Sequence, residues 1–244
     1  MSRLKGKTAV VTGGGSGIGL GAAKRFVEEG AFVYIFGRRQ EALDAALAEL
    51  GTSARAVRGS VTDLADLDRL YQVVKDERGG LDILFANAGT GIIAPLGEIT
   101  PEHYDQTFDV NVKGLLFTVQ KALPLMSSGG SIILTGSTTG VMGTPQFSIY
   151  SATKAAVRNL ARSWALDLRD TGIRVNVLSP GPTRTELAME VVGEDVLEAL
   201  GATTPLGRVG DPSETGAVAA FLASSDSSFM TGGEVFVDGG LAQV

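Results

Sequence analysis

The sequence predicts an α/β protein: one doubly wound parallel sheet with helices on both faces. Three observations carry this. Short apolar runs alternate with longer stretches whose apolar residues recur at helical spacing. A glycine-rich segment separates the first run from the first helical stretch. The 244 residues are 44% hydrophobic, enough for one sizeable core, and no linker or internal repeat divides residues 1–244 into smaller domains.

Lys7 to Thr12 is a short apolar run suited to a buried parallel strand. Gly13-Gly14-Gly15-Ser16-Gly17-Ile18-Gly19 follows, and Ala22, Ala23, Phe26 and Val27 then show helical spacing up to Gly30. Strand, glycine turn and helix in that order suit a phosphate. Glycines let the backbone approach closely, and the helix start offers free N–H groups and a positive dipole end. A second strand is expected over Ala31–Phe36. A dinucleotide site commonly places a carboxylate near the end of that strand, for a ribose 2′-hydroxyl. Here Gly37, Arg38 and Arg39 stand there instead. Two guanidiniums suit a 2′-phosphate, so the expected cofactor is NADP(H) rather than NAD(H). The bland alternative is two arginines solvating a loop.

Glu41–Leu50 and Leu64–Lys75 read as amphipathic helices, with strands at Arg55–Ser60 and Leu81–Ala86 around them. The second of these strands ends in Asn87-Ala88-Gly89. Thr100-Pro101-Glu102 starts a helix expected to run on towards Met126 with Asn111 inside it. Asn is a mediocre interior helix residue, and bonding to a neighbouring carbonyl would explain it. Ser131–Thr135 is a fifth strand. Ser137 lies just past its carboxyl end, where open α/β sheets bind ligands. A long helix over Ser148–Arg169 carries Tyr150 and Lys154, four apart and therefore on one face. A lysine beside a tyrosine favours the phenolate, which makes the pair a plausible acid/base, although the same spacing also arises by chance on solvated helices. Trp164 on this helix reads as packing. Ile173–Leu178 is a sixth strand. Residues 186–211 lack strong periodicity and suit a mobile helical flap. Ser213–Ala223 is a last helix and Gly233–Val237 a seventh strand.

Composition narrows the function classes. The net charge is −6 with no basic stripe, so neither nucleic acid nor an anionic membrane is an expected partner. With no cysteine there are no disulfides or thiolate metal sites. His103 is the single histidine and sits in the first turn of an expected surface helix, so it receives no role and no metal site is expected. The apolar run after Arg3, Lys5 and Lys7 is too short for a secretion signal, and no segment is long enough to span a bilayer, so a cytoplasmic protein is expected.

The Thr12–Gly19 turn, Asn87-Ala88-Gly89, Asn111, Ser137, Tyr150, Lys154 and Pro180-Gly181 occur in this order, with Ser137 thirteen positions before Tyr150. In these motifs the chain resembles a short-chain dehydrogenase/reductase over essentially its whole length. The resemblance implies a Rossmann-type, seven-stranded sheet and an NADP-preferring carbonyl reductase or secondary-alcohol dehydrogenase. Tyr150 would be the acid/base at the substrate oxygen. Lys154 would lower the Tyr150 pKa and hold the nicotinamide ribose. Ser137 would donate to the substrate carbonyl, and Asn111 would hold a water in a proton relay. The resemblance also implies that Gly13, Ser16, Gly17, Ile18 and Gly19 wrap the cofactor phosphates and ribose, with Arg38 at the position that grips the 2′-phosphate. Ser60 and Val61 would lie at the adenine, and Asn87, Ala88 and Gly89 at its ribose. Pro180, Gly181, Thr183 and Thr185 would take the carboxamide end. Ser60 stands where the family commonly has an aspartate for the adenine amino group, which weakens that contact. The implied partner is a small carbonyl or alcohol substrate, and the implied assembly a homotetramer. Other readings are a 3-oxoacyl carrier-protein reductase, a sugar dehydrogenase, or a cofactor-binding sensor without catalysis. The apolar residues of the flap and of the Gly140–Phe147 loop favour a hydrophobic ketone.

Overall fold

The computed structural model describes residues 2–244. Seven strands form one parallel sheet: β1 (Thr8–Thr12), β2 (Phe32–Gly37), β3 (Ala54–Arg58), β4 (Leu81–Ala86), β5 (Met126–Thr135), β6 (Arg174–Pro180) and β7 (Glu234–Val237). Their spatial order is β3-β2-β1-β4-β5-β6-β7. The order reverses between β1 and β4, and ligands of open α/β sheets bind outside the strand ends at such a switch point.

Side chains alternate across each strand, so neighbouring residues feed opposite cores. Val10 of β1 joins Tyr34, Phe36, Leu84, Ile132 and Leu134 on one face. That face is covered by α3 (Leu64–Arg78), α5 (Leu115–Ala122) and α6 (Ser148–Asp167). Ala9 and Val11 join Val33, Ile35, Ile83, Phe85 and Ile133 on the other, beneath α1 (Gly17–Glu28), α2 (Gln40–Leu50) and α9 (Pro212–Ala223). These strand residues are essentially inaccessible to solvent, as a sheet covered on both faces requires.

Two elements differ from the sequence expectation. The helix expected from Thr100 towards Met126 is not continuous. α4 (Pro101–Phe108) passes into a π-helical segment over Asp109–Gly114 before α5 begins. A π turn accommodates one extra residue, and the apolar spacing around it gives no warning. Gly114 closes the segment because a Cβ there would lie 2.9 Å from Val61 Cγ2 and 3.1 Å from the Asp109 carbonyl. Strand β5 also starts at Met126 rather than Ser131. Leu81 pairs with Met126 and Ile83 with Ser131, so the intervening polar and glycine residues form an irregularity in the ladder. The stretch 186–211 contains α7 (Glu186–Val192) and α8 (Glu194–Ala202), divided at Gly193, whose φ is +81°. Arg184 pairs with Glu194 and Glu198 on α8 and so anchors it to the chain leaving β6. Among the described residues, no helix is long and apolar enough to cross a membrane.

Candidate active site

The candidate cofactor and catalytic residues lie around the carboxyl ends of the strands and on the elements that leave them. The glycine turn is built by close approach. Gly13 has φ +66° and donates its N–H to the Phe36 carbonyl at 2.8 Å. A Cβ on Gly19 would sit 2.2 Å from the Gly13 carbonyl oxygen, so any side chain there would push the start of α1 away from β1. Ser16 is the residue before α1, and Gly17 and Ile18 open the helix. Thr12, which sequence reasoning left without a role, joins β1 to β4. Its hydroxyl accepts the N–H groups of Asn87 and Ala88, both at 3.0 Å, while Asn87 Nδ2 donates to its carbonyl. Thr135 at the end of β5 donates to Asn87 Oδ1 at 3.2 Å. Three strand ends are therefore stitched around one carboxamide.

Arginines occupy the ends of β2 and β3. Arg39 Nη2 donates to Ser16 Oγ at 3.3 Å and pairs with Glu186 at 2.9 Å. Among the described residues Arg38 takes part in no ion pair, and its carbonyl accepts from Arg58 Nε at 3.2 Å. Arg58 is a third cation at this edge that sequence reasoning missed; its cue was its place at the end of the third strand. Ser60 bonds through its hydroxyl with Thr62 Oγ1 at 2.8 Å and gives its N–H to Asp66. That N–H is the main reason the Asp66 carboxyl titrates below its ordinary range. Asp63 is occupied in capping α3, and Val61 is buried under Gly114.

Asn111, Ser137, Tyr150 and Lys154 come together on the other side of the switch point. The π segment turns Asn111 fully inward. Its carboxamide binds both backbone groups of Thr90 and donates to Thr153 Oγ1 at 3.2 Å. Lys154, with only 4% exposure, donates from Nζ to the Thr135 carbonyl at 2.9 Å and lies 5.5 Å from the centre of the Tyr150 ring. Burial brings its pKa from 10.5 down to about 8. A Cβ on Gly89 would be 3.4 Å from Asn111 Oδ1 and 3.8 Å from Lys154 Nζ, so Gly89 leaves room between them. The turn Thr138–Gly140 leads from Ser137 to the backbone of α6. There the Ser137 hydroxyl accepts from the Thr139 N–H and hydroxyl.

The expected depression of the Tyr150 pKa by Lys154 is not found. Burial raises the phenol pKa, and the nearby Ser137 hydroxyl only partly opposes this. Burial of the phenol is the dominant effect, and the Lys154 ammonium donates to the Thr135 carbonyl.

Beyond β6, Gly181 donates to the Val237 carbonyl at 3.0 Å and has no room for a Cβ, which would meet Asp238 at 2.7 Å. Pro180 closes β6, and Thr183 Oγ1 donates to the Gly181 carbonyl. Thr185 caps α7 and packs on the glycine turn, its Cγ2 being 3.1 Å from a Cβ built on Gly17. His103 lies in the first turn of α4, its N–H on Thr100 Oγ1. Among the described residues no group of three or more His, Asp or Glu is placed to hold a metal ion. A polar cavity of about 280 Å³ near Thr8, Glu77, Arg78 and Asp82 lies at the opposite ends of the strands.

Comparison with known proteins finds relatives over nearly the whole chain. A family model described as Enoyl-(Acyl carrier protein) reductase matches residues 13–242. The chain is 65% identical over 246 residues to Oxidoreductase asL5 of Sarocladium schorii, covering 100% of this chain and 99% of that protein. It is 36% identical over 245 residues to the NADP-dependent (R)-specific alcohol dehydrogenase of Lentilactobacillus kefiri, covering 98% and 97% respectively. A solved short chain dehydrogenase/reductase family protein superposes with a TM-score of 0.89 at 38% identity, covering 99% of this chain and 100% of that one.

Proposed function

Because the chain belongs to the short-chain dehydrogenase/reductase family, we propose that it is an NADP(H)-dependent oxidoreductase that interconverts hydrophobic ketones and secondary alcohols. The observation that carries this reading is the convergence of Ser137, Tyr150, Lys154 and Asn111 beside a glycine cradle edged by arginines.

The residues present fit a dinucleotide. Gly13 and Gly19 let the turn at the start of α1 close tightly on Asn87, since a Cβ on either would meet Asn87 Nδ2, and Arg38 and Arg39 suit a 2′-phosphate. Ser16, Gly17 and Ile18 would take the phosphates. Ser60 and Val61 would take the adenine, Asn87 to Gly89 its ribose, and Pro180, Gly181, Thr183 and Thr185 the carboxamide end. When bound, NADP(H) supplies or accepts the hydride.

The protein's own share is protonic and electrostatic. Ser137 donates to the substrate oxygen, where negative charge grows as the carbonyl is reduced. Tyr150, held protonated at neutral pH by burial, delivers the proton to that oxygen. Lys154, with a pKa of about 8, and Asn111 with Thr90 form the inward route along which the phenol is reprotonated. Substrate enters beneath the flap at 186–211. Both Val191 Cγ2 and the Tyr150 ring lie within 4 Å of a Cβ position on Gly91, and Leu187 and Met189 on α7 are exposed. This apolar wall favours a hydrophobic ketone.

A second reading, reduction of 3-oxoacyl thioesters, is favoured by likeness to a solved 3-ketoacyl-(acyl-carrier-protein) reductase from Brucella melitensis, 32% identical over 98% of this chain and 99% of that one with a TM-score of 0.92. The test is NADPH and NADH oxidation with hydrophobic ketones and 3-oxoacyl thioesters. Turnover of ketones with NADPH supports the proposal. Turnover of thioesters alone selects the second reading. Efficient turnover with NADH alone refutes the NADP(H) assignment.

A further inference from the structure

The Arg39–Glu186 pair joins two elements that flank the dinucleotide groove. Arg39 follows β2, where the cofactor's 2′ end would lie on the proposed reading, and Glu186 is the first residue of α7. Arg39 Nη2 reaches Glu186 Oε2 at 2.9 Å and Ser16 Oγ at 3.3 Å, so one guanidinium spans the glycine turn and the flap. Next to it Thr185 packs on Gly17. The flap's leading end therefore rests on the turn that would hold the phosphates, fixed by a cation that the cofactor also needs.

We propose that Glu186 is a built-in competitor for the 2′-phosphate and so a residue that determines cofactor specificity. It occupies Arg39 in the free protein and yields it to a 2′-phosphorylated nucleotide, which frees the start of α7. The proposal rests on the NADP(H) reading. Both side chains are 65% exposed, so the pair is weak enough to be displaced. A 2′-phosphate brings nearly twice the charge of a carboxylate and more acceptor oxygens. NADH has no group that matches Glu186 at Arg39 and must bind with the pair intact. An acid at the first position of a helix also favours the helix dipole, but that role alone would not distinguish the two cofactors.

The experiment is fluorescence titration of wild type and Glu186→Gln with NADPH and NADH. The variant is expected to bind NADPH about two- to fivefold more tightly, with the NADH Kd unchanged. If wild type prefers NADPH and the substitution leaves the NADPH/NADH ratio unaltered or lowers it, the competitor role is overturned and the NADP(H) reading stands. If wild type binds NADH as tightly as NADPH, both fall. Hydrogen exchange gives a second readout on the unmodified protein. Adenosine 2′,5′-bisphosphate should speed exchange of the α7 amides and 5′-ADP should not. Equal effects of the two nucleotides, or none, would overturn the release of α7.

Discussion

Asn111 and Thr90 bind each other twice. Thr90 N–H donates to Asn111 Oδ1 at 2.8 Å, and Asn111 Nδ2 donates back to the Thr90 carbonyl at 2.9 Å. One buried carboxamide thus fixes the loop that leaves β4 at the point where it borders Tyr150. Replacing Asn111 with leucine leaves two backbone groups unpaired, at about 1–3 kcal/mol each if water cannot reach them. Because Thr90 is only partly buried, a total loss of about 2 kcal/mol is expected. Urea unfolding checks this, with turnover falling in parallel. An unchanged midpoint would show that the loop does not depend on the bond.

Tyr150→Phe removes one oxygen and keeps the ring that packs edge-on against Phe147 at 5.9 Å. NADPH binding and thermal stability should stay close to wild type while turnover drops by about 10²–10⁴. Retention of more than a tenth of the activity would move the proton donor elsewhere.

Lys154 gives a pH signature. Burial lowers its folded-state pKa to about 8 from 10.5. Below pH 8 both folded and unfolded chains hold the proton, and the fold bears the full cost of the buried ammonium. Between 8 and 10.5 only the unfolded chain keeps it, so stability rises with pH, and above 10.5 the cost is gone. The difference in unfolding free energy between wild type and Lys154→Met should therefore grow in favour of wild type from pH 7.5 to 10. Its size is on the order of 1–3 kcal/mol. Denaturant curves at the two pH values measure it. A flat difference would mean that Lys154 is hydrated in the free protein.

At the other end of the sheet, Glu29 fastens the N-terminal residues. It accepts from Arg3 Nη2 at 2.6 Å and from Arg25 Nη2 at 2.9 Å, and Arg3 also reaches Asp226 at 3.4 Å. The Arg3 side chain is the main reason the Glu29 carboxyl falls to about 2 from 4.5. A depressed carboxylate contributes stability above pH 4.5 and loses it as pH falls towards 2. Glu29→Gln should cost on the order of 1–3 kcal/mol at neutral pH, discounted for the partly exposed arginines. It should also flatten the acid limb of the stability profile. Matching acid limbs in thermal melts of the two proteins would argue against the clasp.

Much of this molecule is legible in its sequence because strand and helix impose different periods. The apolar runs at Thr8–Thr12 and Leu81–Ala86 are buried strands, and Tyr150 and Lys154 share a helix face as their spacing requires. The π segment is not legible, because Asp109–Gly114 keeps apolar spacing on both sides of the inserted residue. Its one cue is a glycine where the helix touches Val61. The early start of β5 is hidden by the polar, glycine-rich stretch Ser127–Gly130. In the site, what the sequence conceals are bonds between distant positions. Thr12 serves Asn87 across 75 residues, and Arg39 meets Glu186 across 147. Local patterns carry no trace of such pairs. The raised Tyr150 pKa is hidden for a related reason: spacing shows that Lys154 is near, but not how deeply the fold buries the phenol.

The strand order sets two kinds of selectivity at separate addresses. The groups proposed to read the nucleotide's 2′ end lie past β2 and β3, and those proposed to handle the reacting oxygen lie past β5 and on α6, with β1 and β4 between them. On the proposed reading, substitutions at positions 37–39 and 58–60 are expected to alter nucleotide preference while leaving Ser137, Tyr150 and Lys154 in place, with Arg39–Glu186 a bridge between the nucleotide end and the flap. A descendant of this chain could change metabolic currency without relearning its chemistry.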